Sequence, residues 1–322
     1  MPVLTAVQQD RAAGVLMAMA CGDALGAPHE FGPPLPRSTE LSMCGGGPFD
    51  WAPGEWTDDT QMAAVLVDAA ERAHAGGRRL LDEMDAVARG WAEWSTTAAD
   101  VGAQTAAVLA AAAAAGPVTA ASARASAADL HARTSRTGGN GSLMRTAPVA
   151  LAYLHDRSAR AEAARAISEL THADGDAGDA CVLWCAAIAH AVITGSADAS
   201  VGLDDLPPRS RDLWRDRLAV AESARCADFT QNGWVVEALQ SAWCAISTTP
   251  VPSAEPSAHL RAALETAVRG GRDTDTVAAI AGALLGAKWG ASAIPGEWAA
   301  VVHGWPGTDV ATLGARGAGL AA

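Results

Sequence analysis

Two short acidic stretches have the residue types and the spacing for metal chemistry. Trp56-Thr57-Asp58-Asp59-Thr60 and Asp273-Thr274-Asp275-Thr276 lie more than two hundred residues apart. Each opens a segment with apolar residues at helical spacing: Met62, Val65, Leu66 and Ala69 after the first, Val277, Ile280, Leu284 and Leu285 after the second. One such helix start reads as a cap, with Asp and Thr oxygens satisfying free N–H groups and complementing the positive end of the helix dipole. Two matched starts carry more oxygen than capping needs. Brought together, their four carboxylates cannot all stay ionised without a counter-charge. Hard divalent cations supply one, and carboxylate and hydroxyl oxygens suit Mg²⁺ or Mn²⁺ rather than Zn²⁺.

Three further groups invite a chemical reading, each beside a plainer one. Thr137-Gly138-Gly139-Asn140-Gly141-Ser142 has glycines that permit close backbone approach to a ligand, and Arg133, Arg136 and Arg145 make the stretch locally basic. That suits a phosphate held by exposed N–H groups; a tight turn between helices explains the same glycines. His172, beside a helix start, reads by itself as a structural donor. Glu30 follows Gly26-Ala27-Pro28-His29, which stops the first helix, and alone it reads as a surface acid on a loop. Asp174, Asp176 and Asp179 lack calcium-loop spacing and are expected to be solvated.

The elements that position these residues are helices. Ala- and Leu-rich segments recur from end to end with few alternating β-branched runs, so the chain is expected to be all-α. Helices are predicted over about 7–25, from 58 to the Gly76-Gly77 pair, 80–94, 104–115, after Pro148, 177–194, 214–227, 234–247 and 259–269. The Gly- and Pro-rich stretch 31–55 reads as a long ordered loop, 196–216 as a polar connection, and the Gly/Ala tail after Thr312 as disordered. Because the two acidic stretches come from opposite ends, one domain spanning 1–322 is expected.

Net charge is −13, which argues against a broad basic face for nucleic acid. The six cysteines show no Cys-x-x-Cys pair, and Cys181 and Cys185 read as buried thiols. No apolar run is read as long enough to span a membrane without interruption, and no secretory leader pattern opens the chain, so no membrane partner and a reducing, cytoplasmic setting are expected.

With these segments placed, the chain resembles the ADP-ribosylglycohydrolase family. The motifs fall in the family's order: Gly22-Asp23 with Gly26 and Glu30; Gly54-Glu55-Trp56-Thr57-Asp58-Asp59-Thr60; Gly139-Asn140-Gly141-Ser142-Leu143-Met144-Arg145; and Asp273-Thr274-Asp275-Thr276 followed by Ala279-Ile280-Ala281-Gly282. Thr171-His172 fits the family's histidine position. One departure is Gly270-Gly271-Arg272 before Asp273, where the family often has two glycines directly.

The resemblance implies an all-α orthogonal helix bundle with a binuclear Mg²⁺ or Mn²⁺ centre in a cleft. Thr57, Asp58 and Asp59 would hold one side of the pair and Asp273, Asp275 and Thr276 the other. Glu30, Asp59 and Asp273 would carry the acid/base work. Thr137, Gly138, Gly139, Asn140, Gly141 and Ser142 would cradle the diphosphate, with His172 bonding the ligand and Asp100 and Gly102 completing the substrate-binding set. On this footing Asn140→Ala is expected to weaken ADP-ribose binding more than metal binding. The expected reaction is hydrolysis of the glycosidic bond from ADP-ribose to an acceptor, with ADP-ribosyl-arginine on a protein the first choice. Serine-linked or nucleobase-linked ADP-ribose, a small-molecule acceptor, or a non-catalytic ADP-ribose reader are the alternatives. The expected partner is the ADP-ribosylated substrate, with nucleic acid only as a modified substrate, and a monomer is the expected state.

Overall fold

The computed structural model describes residues 3–322. It is all-α. In chain order the helices are α1 (Ala6–Gly26), α2 (Asp58–Ala75), α3 (Met84–Trp94), α4 (Ala103–Ala114), α5 (Ala120–Thr134), α6 (Ala147–Ala152), α7 (Arg157–Ser168), α8 (Gly175–Thr194), α9 (Pro208–Ala221), α10 (Val235–Thr248), α11 (His259–Arg269), α12 (Thr274–Trp289), α13 (Gly296–Ala299) and α14 (Val310–Leu320). A two-residue antiparallel pair, β1 (His303–Gly304) with β2 (Thr308–Asp309), joins α13 to α14.

The frame of the site is the pairing of α1 with α12, which run antiparallel in backbone contact. A Cβ at Gly22 would sit 2.2 Å from the Ala278 carbonyl oxygen, and one at Gly282 would sit 2.1 Å from that of Ala18. Only glycine permits that approach, and it brings the C-terminal end of α1 against the first turn of α12. There the Thr274 hydroxyl donates to the Gly26 carbonyl at 2.8 Å. Around this pair α8, α10, α11 and α14 complete a core in which Met19, Leu25, Trp184, Ile280 and Leu284 are buried.

Several expectations are corrected here. The tail after Thr312 is helical: Val310, Leu313, Gly314, Gly317 and Leu320 form a buried stripe at helical spacing, and α14 packs on α1. Its apolar face is built partly from glycine, which carries no hydrophobic signal in sequence. Helix α9 begins at Pro208, inside the stretch read as a connection, because proline at the first helical position costs no hydrogen bond. Helix α5, over a segment given no assignment, is opened by Thr119, whose hydroxyl accepts from Ser122 N. Helix α8 is long and apolar enough overall to cross a membrane by length and composition, but Asp179 interrupts its apolar run, as the sequence reading has it, and 83% of its apolar window is buried inside the bundle. Asp179 and Asp176 are not free in solvent: buried Asp179 pairs with Arg165, and Asp176 with Arg217 at 2.8 Å.

Candidate metal centre and cleft

Three chain segments converge on one acidic cluster: the end of α1, the start of α2 and the start of α12. Asp23, in the last turn of α1, is fully buried. Its Oδ1 accepts from Thr57 N at 2.9 Å, and its Oδ2 accepts from Thr60 N at 3.0 Å and from the Thr60 hydroxyl at 2.6 Å. Asp23 therefore caps α2 from outside that helix, and Thr57 makes no capping bond of its own. Freed from capping, Asp58 and Asp59 turn inward. Helix α12 is likewise entered through Asp273 without a side-chain cap.

The result is a nest of oxygens. Carboxylate oxygens of Asp23, Asp59 and Asp275 lie within 4.8 Å of one another, as do those of Glu30, Asp273 and Asp275. The Thr57 hydroxyl oxygen lies 3.3 Å from Asp59 Oδ2 and 3.5 Å from both Asp58 Oδ1 and Asp275 Oδ2. The Thr276 hydroxyl is 3.4 Å from Asp59 Oδ2. One hydroxyl proton cannot serve three acceptors, and these separations exceed the usual 2.7–2.8 Å or so for O–H···O bonds. They are spacings that a shared cation would satisfy better than hydrogen bonds do.

The charge balance agrees. Among the described residues none of these carboxylates forms a salt bridge with Arg or Lys, and Asp59 Oδ1 and Glu30 Oε2 are buried without a hydrogen-bond partner. Burial, and then the neighbouring carboxylates, push Asp58, Asp59 and Asp275 well above the usual carboxylate range. Burial raises Asp23 to about 6 against the pull of its Thr60 and Thr57 hydrogen bonds. Asp273 is raised by burial and held down in part by Asn140, whose Nδ2 donates to its Oδ2 at 2.8 Å. Buried carboxylates with orphaned oxygens and no basic partner are the donor set that divalent cations satisfy, so the residues fit the centre implied by the sequence.

Above the nest opens a cleft of about 350 Å³, lined among others by Glu30, Asp100, Gly102, Gly139, Asn140, Gly141, His172, Asp58, Asp273, Asp275 and Thr276. Glu30 is raised to about 8, by burial first and then by the charges of Asp273 and Asp100; Asp100 is raised to about 6 by burial and Asp273. The segment carrying Glu30 is tied to the segment carrying Asp273: Phe31 N donates to the Arg272 carbonyl at 2.6 Å and Arg272 N to that of Gly32 at 2.7 Å. Phe31 and Arg272 take left-handed φ values of 59° and 66° in that clasp. Arg272 thus acts here through its backbone.

The predicted glycine loop divides. Gly139, Asn140 and Gly141 face the cleft, whereas Thr137, Gly138 and Ser142 are not among its lining residues. The Thr137 hydroxyl meets His131 Nδ1 at 2.5 Å, and Ser142 accepts from the Ser168 hydroxyl at 2.9 Å. Arg145, expected to make the loop basic, is fully buried and points away from it, its guanidinium 3.8 Å from the Trp91 ring centroid. Thr57 and Asp59 lie beneath the cleft floor and do not line it.

Two participants escaped the sequence reading as site residues. Asp23 stood in a family motif but carried only one visible signal, an acid on the otherwise apolar helix run Met19–Leu25. Asn232 is buried; its Oδ1 accepts from Asp273 N at 3.2 Å, its Nδ2 donates to the Gly271 carbonyl, and its own carbonyl accepts from Asn140. Its signal was the turn chemistry of Asn232-Gly233 between two helices.

A model of the ADP-ribosylglycohydrolase family matches residues 4–321. The ADP-ribosylarginine hydrolase Tri1 of Pseudomonas putida (strain GB-1) is 32% identical over 309 residues, covering 90% of this chain and 73% of that protein. The ADP-ribosylhydrolase ARH3 of Homo sapiens is 27% identical over 205 residues, covering 53% of this chain and 56% of its own length. A solved structure described as an ADP-ribosylglycohydrolase-related protein complex superposes with a TM-score of 0.69 at 25% identity, covering 98% of both chains. Motifs, fold and whole-length match agree: this chain belongs to the ADP-ribosylglycohydrolase family.

Proposed function

We propose that this enzyme hydrolyses the bond between ADP-ribose and an arginine side chain, with two divalent cations, Mg²⁺ or Mn²⁺, in the acidic nest. The observation that carries the reading is the meeting of Thr57, Asp58 and Asp59 with Asp273, Asp275 and Thr276 under a cleft edged by Glu30, with no basic partner among the described residues. The arginine acceptor follows the more extensive likeness, to a protein named for that linkage.

The six nest residues would hold the cations, which when bound supply positive charge to the carboxylates and Lewis acidity toward the ribose oxygens. Glu30 is the general acid. Burial, and then the Asp273 and Asp100 charges, raise its carboxyl in the cation-free site, and from the edge of the cleft it would give a proton to the leaving guanidino nitrogen as the C–N bond breaks. Asp273 faces the cleft whereas Asp59 lies beneath it, and the Asn140 hydrogen bond offsets part of the burial that raises Asp273. Asp273 is therefore the carboxylate that takes the proton from the water attacking the anomeric carbon.

The test is release of free ADP-ribose from arginine-, serine- and nucleobase-linked substrates, with Mg²⁺ or Mn²⁺ and then with chelator. Metal-dependent release from the arginine linkage is expected. Release from another linkage alone overturns the acceptor, and release undiminished by chelator overturns the cation centre.

A further inference from the structure

Arg145 is the least explained charge in the molecule. It is fully buried, touches no carboxylate, and its Nε has no hydrogen-bond partner. Its Nη1 rests against Met62 Sδ at 3.5 Å, and its Nη2 donates to the Thr171 hydroxyl oxygen at 2.6 Å. A guanidinium can only donate, so that oxygen is the acceptor in this bond. The Thr171 hydroxyl also lies 2.7 Å from His172 Nδ1, and no other acceptor within reach of it is found among the described residues. Donating its single proton to an unprotonated Nδ1 is the arrangement that leaves no hydroxyl proton unpaired. The imidazole proton is left on Nε2.

That nitrogen is the one turned toward the cleft. His172 lines the cleft between Gly139 and Gly141, and a Cβ added at either glycine would come within 3.4 or 3.3 Å of Nε2. The two missing side chains keep the N–H approachable. Burial and the nearby Arg145 charge hold the imidazole well below its usual pKa, so the ring stays neutral.

We propose that Arg145 and Thr171 are positioning residues that lock His172 as its Nε2–H tautomer, presenting a fixed neutral donor to an acceptor oxygen of the bound ADP-ribosyl group. The ligand half of this statement rests on the cleft being the ADP-ribosyl site; the tautomer half does not. A wrong tautomer would offer that oxygen a lone pair instead of a proton. The buried arginine thus acts on the ligand through two intervening groups without touching it.

The test separates the halves. Nitrogen NMR of the full chain labelled with ¹⁵N-histidine, with His172→Gln used to assign the signal, reads the two ring nitrogens directly. The expected spectrum shows a protonated Nε2 and an unprotonated Nδ1 for His172 at neutral pH. Thr171→Val should populate the Nδ1–H form and weaken calorimetric binding of ADP-ribose by about tenfold, the worth of one hydrogen bond. Thr171→Ser should restore both. A wild-type His172 protonated on Nδ1 overturns the lock, and so does a folded Thr171→Val variant with unchanged tautomer and affinity. If that variant does not fold, the wild-type spectrum still decides. The expected spectrum in a protein that binds no ADP-ribose overturns the ligand half and the cleft reading with it, and leaves the lock standing.

Discussion

The Asp23 carboxylate, in the last turn of α1, accepts hydrogen bonds from both Thr57 N and Thr60 N and so closes the first turn of α2. A helix whose own first-turn acids are engaged elsewhere has its free N–H groups satisfied by a different helix. This arrangement frees Asp58 and Asp59 for the nest, and it makes stability and metal binding share one residue.

Asp23→Ala should accordingly cost about 2 kcal/mol of stability in cation-free protein, because a cap is lost and buried N–H groups are orphaned. Asp23→Asn keeps acceptor oxygen and should lose less. Denaturant titration of the two variants in chelator checks this. Equal loss in both would mean that a single amide oxygen cannot replace the two carboxylate oxygens that accept from Thr57 N and Thr60 N.

The carboxylate nest should make the cation-free protein weaker as pH rises. Folded-state values are raised: about 6 for Asp23 and Asp100, about 8 for Glu30, and well above the usual range for Asp58, Asp59 and Asp275. Below the unfolded values near 4 or so, both states are protonated and nothing is lost. Above them the unfolded chain releases protons that the folded chain retains, so stability falls through about 6 and on through about 8. Thermal melts in chelator should show this fall in the wild type and a shallower one in Asp275→Asn, which removes one buried titrating group. Mg²⁺ should reverse the fall, most at the alkaline end. Parallel pH profiles for the two proteins would count against the nest as the cause.

Glu30→Gln should lower kcat by roughly 10²–10⁴-fold, the usual worth of a positioned general acid. Helical content should be unchanged, since Glu30 Oε2 makes no hydrogen bond in the fold. Single-turnover kinetics with an arginine-linked substrate and with one bearing a leaving group that needs no proton provide the check. The second substrate should be largely spared. If both slow equally, Glu30 serves binding or closure and another group protonates the leaving nitrogen.

What the sequence made legible was whatever it repeated or interrupted. The two acidic helix starts stood out because the pattern occurs twice, and the fold brings their residues together. Asp23 did not stand out, since a single acid at a helix end looks the same whether it faces water or caps another helix. Arg145 showed its charge but not its direction; the sequence placed it beside the glycine loop and the fold turned it inward over Trp91. Thr137 and Ser142 were read as one cradle with Gly139, yet only the consecutive residues Gly139, Asn140 and Gly141 line the cleft, while Thr137 turns to His131 and Ser142 to Ser168. Helix α14 was illegible for another reason, because glycine on a buried face packs by its absence of side chain.

Asn140 shows how far the loop and the nest are one object. The sequence assigned it to the ligand, with its loss expected to weaken ADP-ribose binding more than metal binding. In the structure its Nδ2 donates to Asp273 Oδ2 at 2.8 Å and to the Asn232 carbonyl at 2.9 Å, and Asn232 in turn accepts from Asp273 N. Removing the amide strips a charge-assisted hydrogen bond from a carboxylate that burial already disfavours, a loss of about 1.5–3 kcal/mol at that group. Asn140→Ala should therefore weaken Mg²⁺ and ADP-ribose binding together, each by about tenfold or more. Asn232→Ala, whose side chain does not line the cleft, should weaken Mg²⁺ binding and affect ADP-ribose only through it. Calorimetry with Mg²⁺ alone, and then with ADP-ribose at saturating Mg²⁺, separates the two effects. An Asn140→Ala protein that binds Mg²⁺ like the wild type but has lost ADP-ribose would return this residue to the cradle alone.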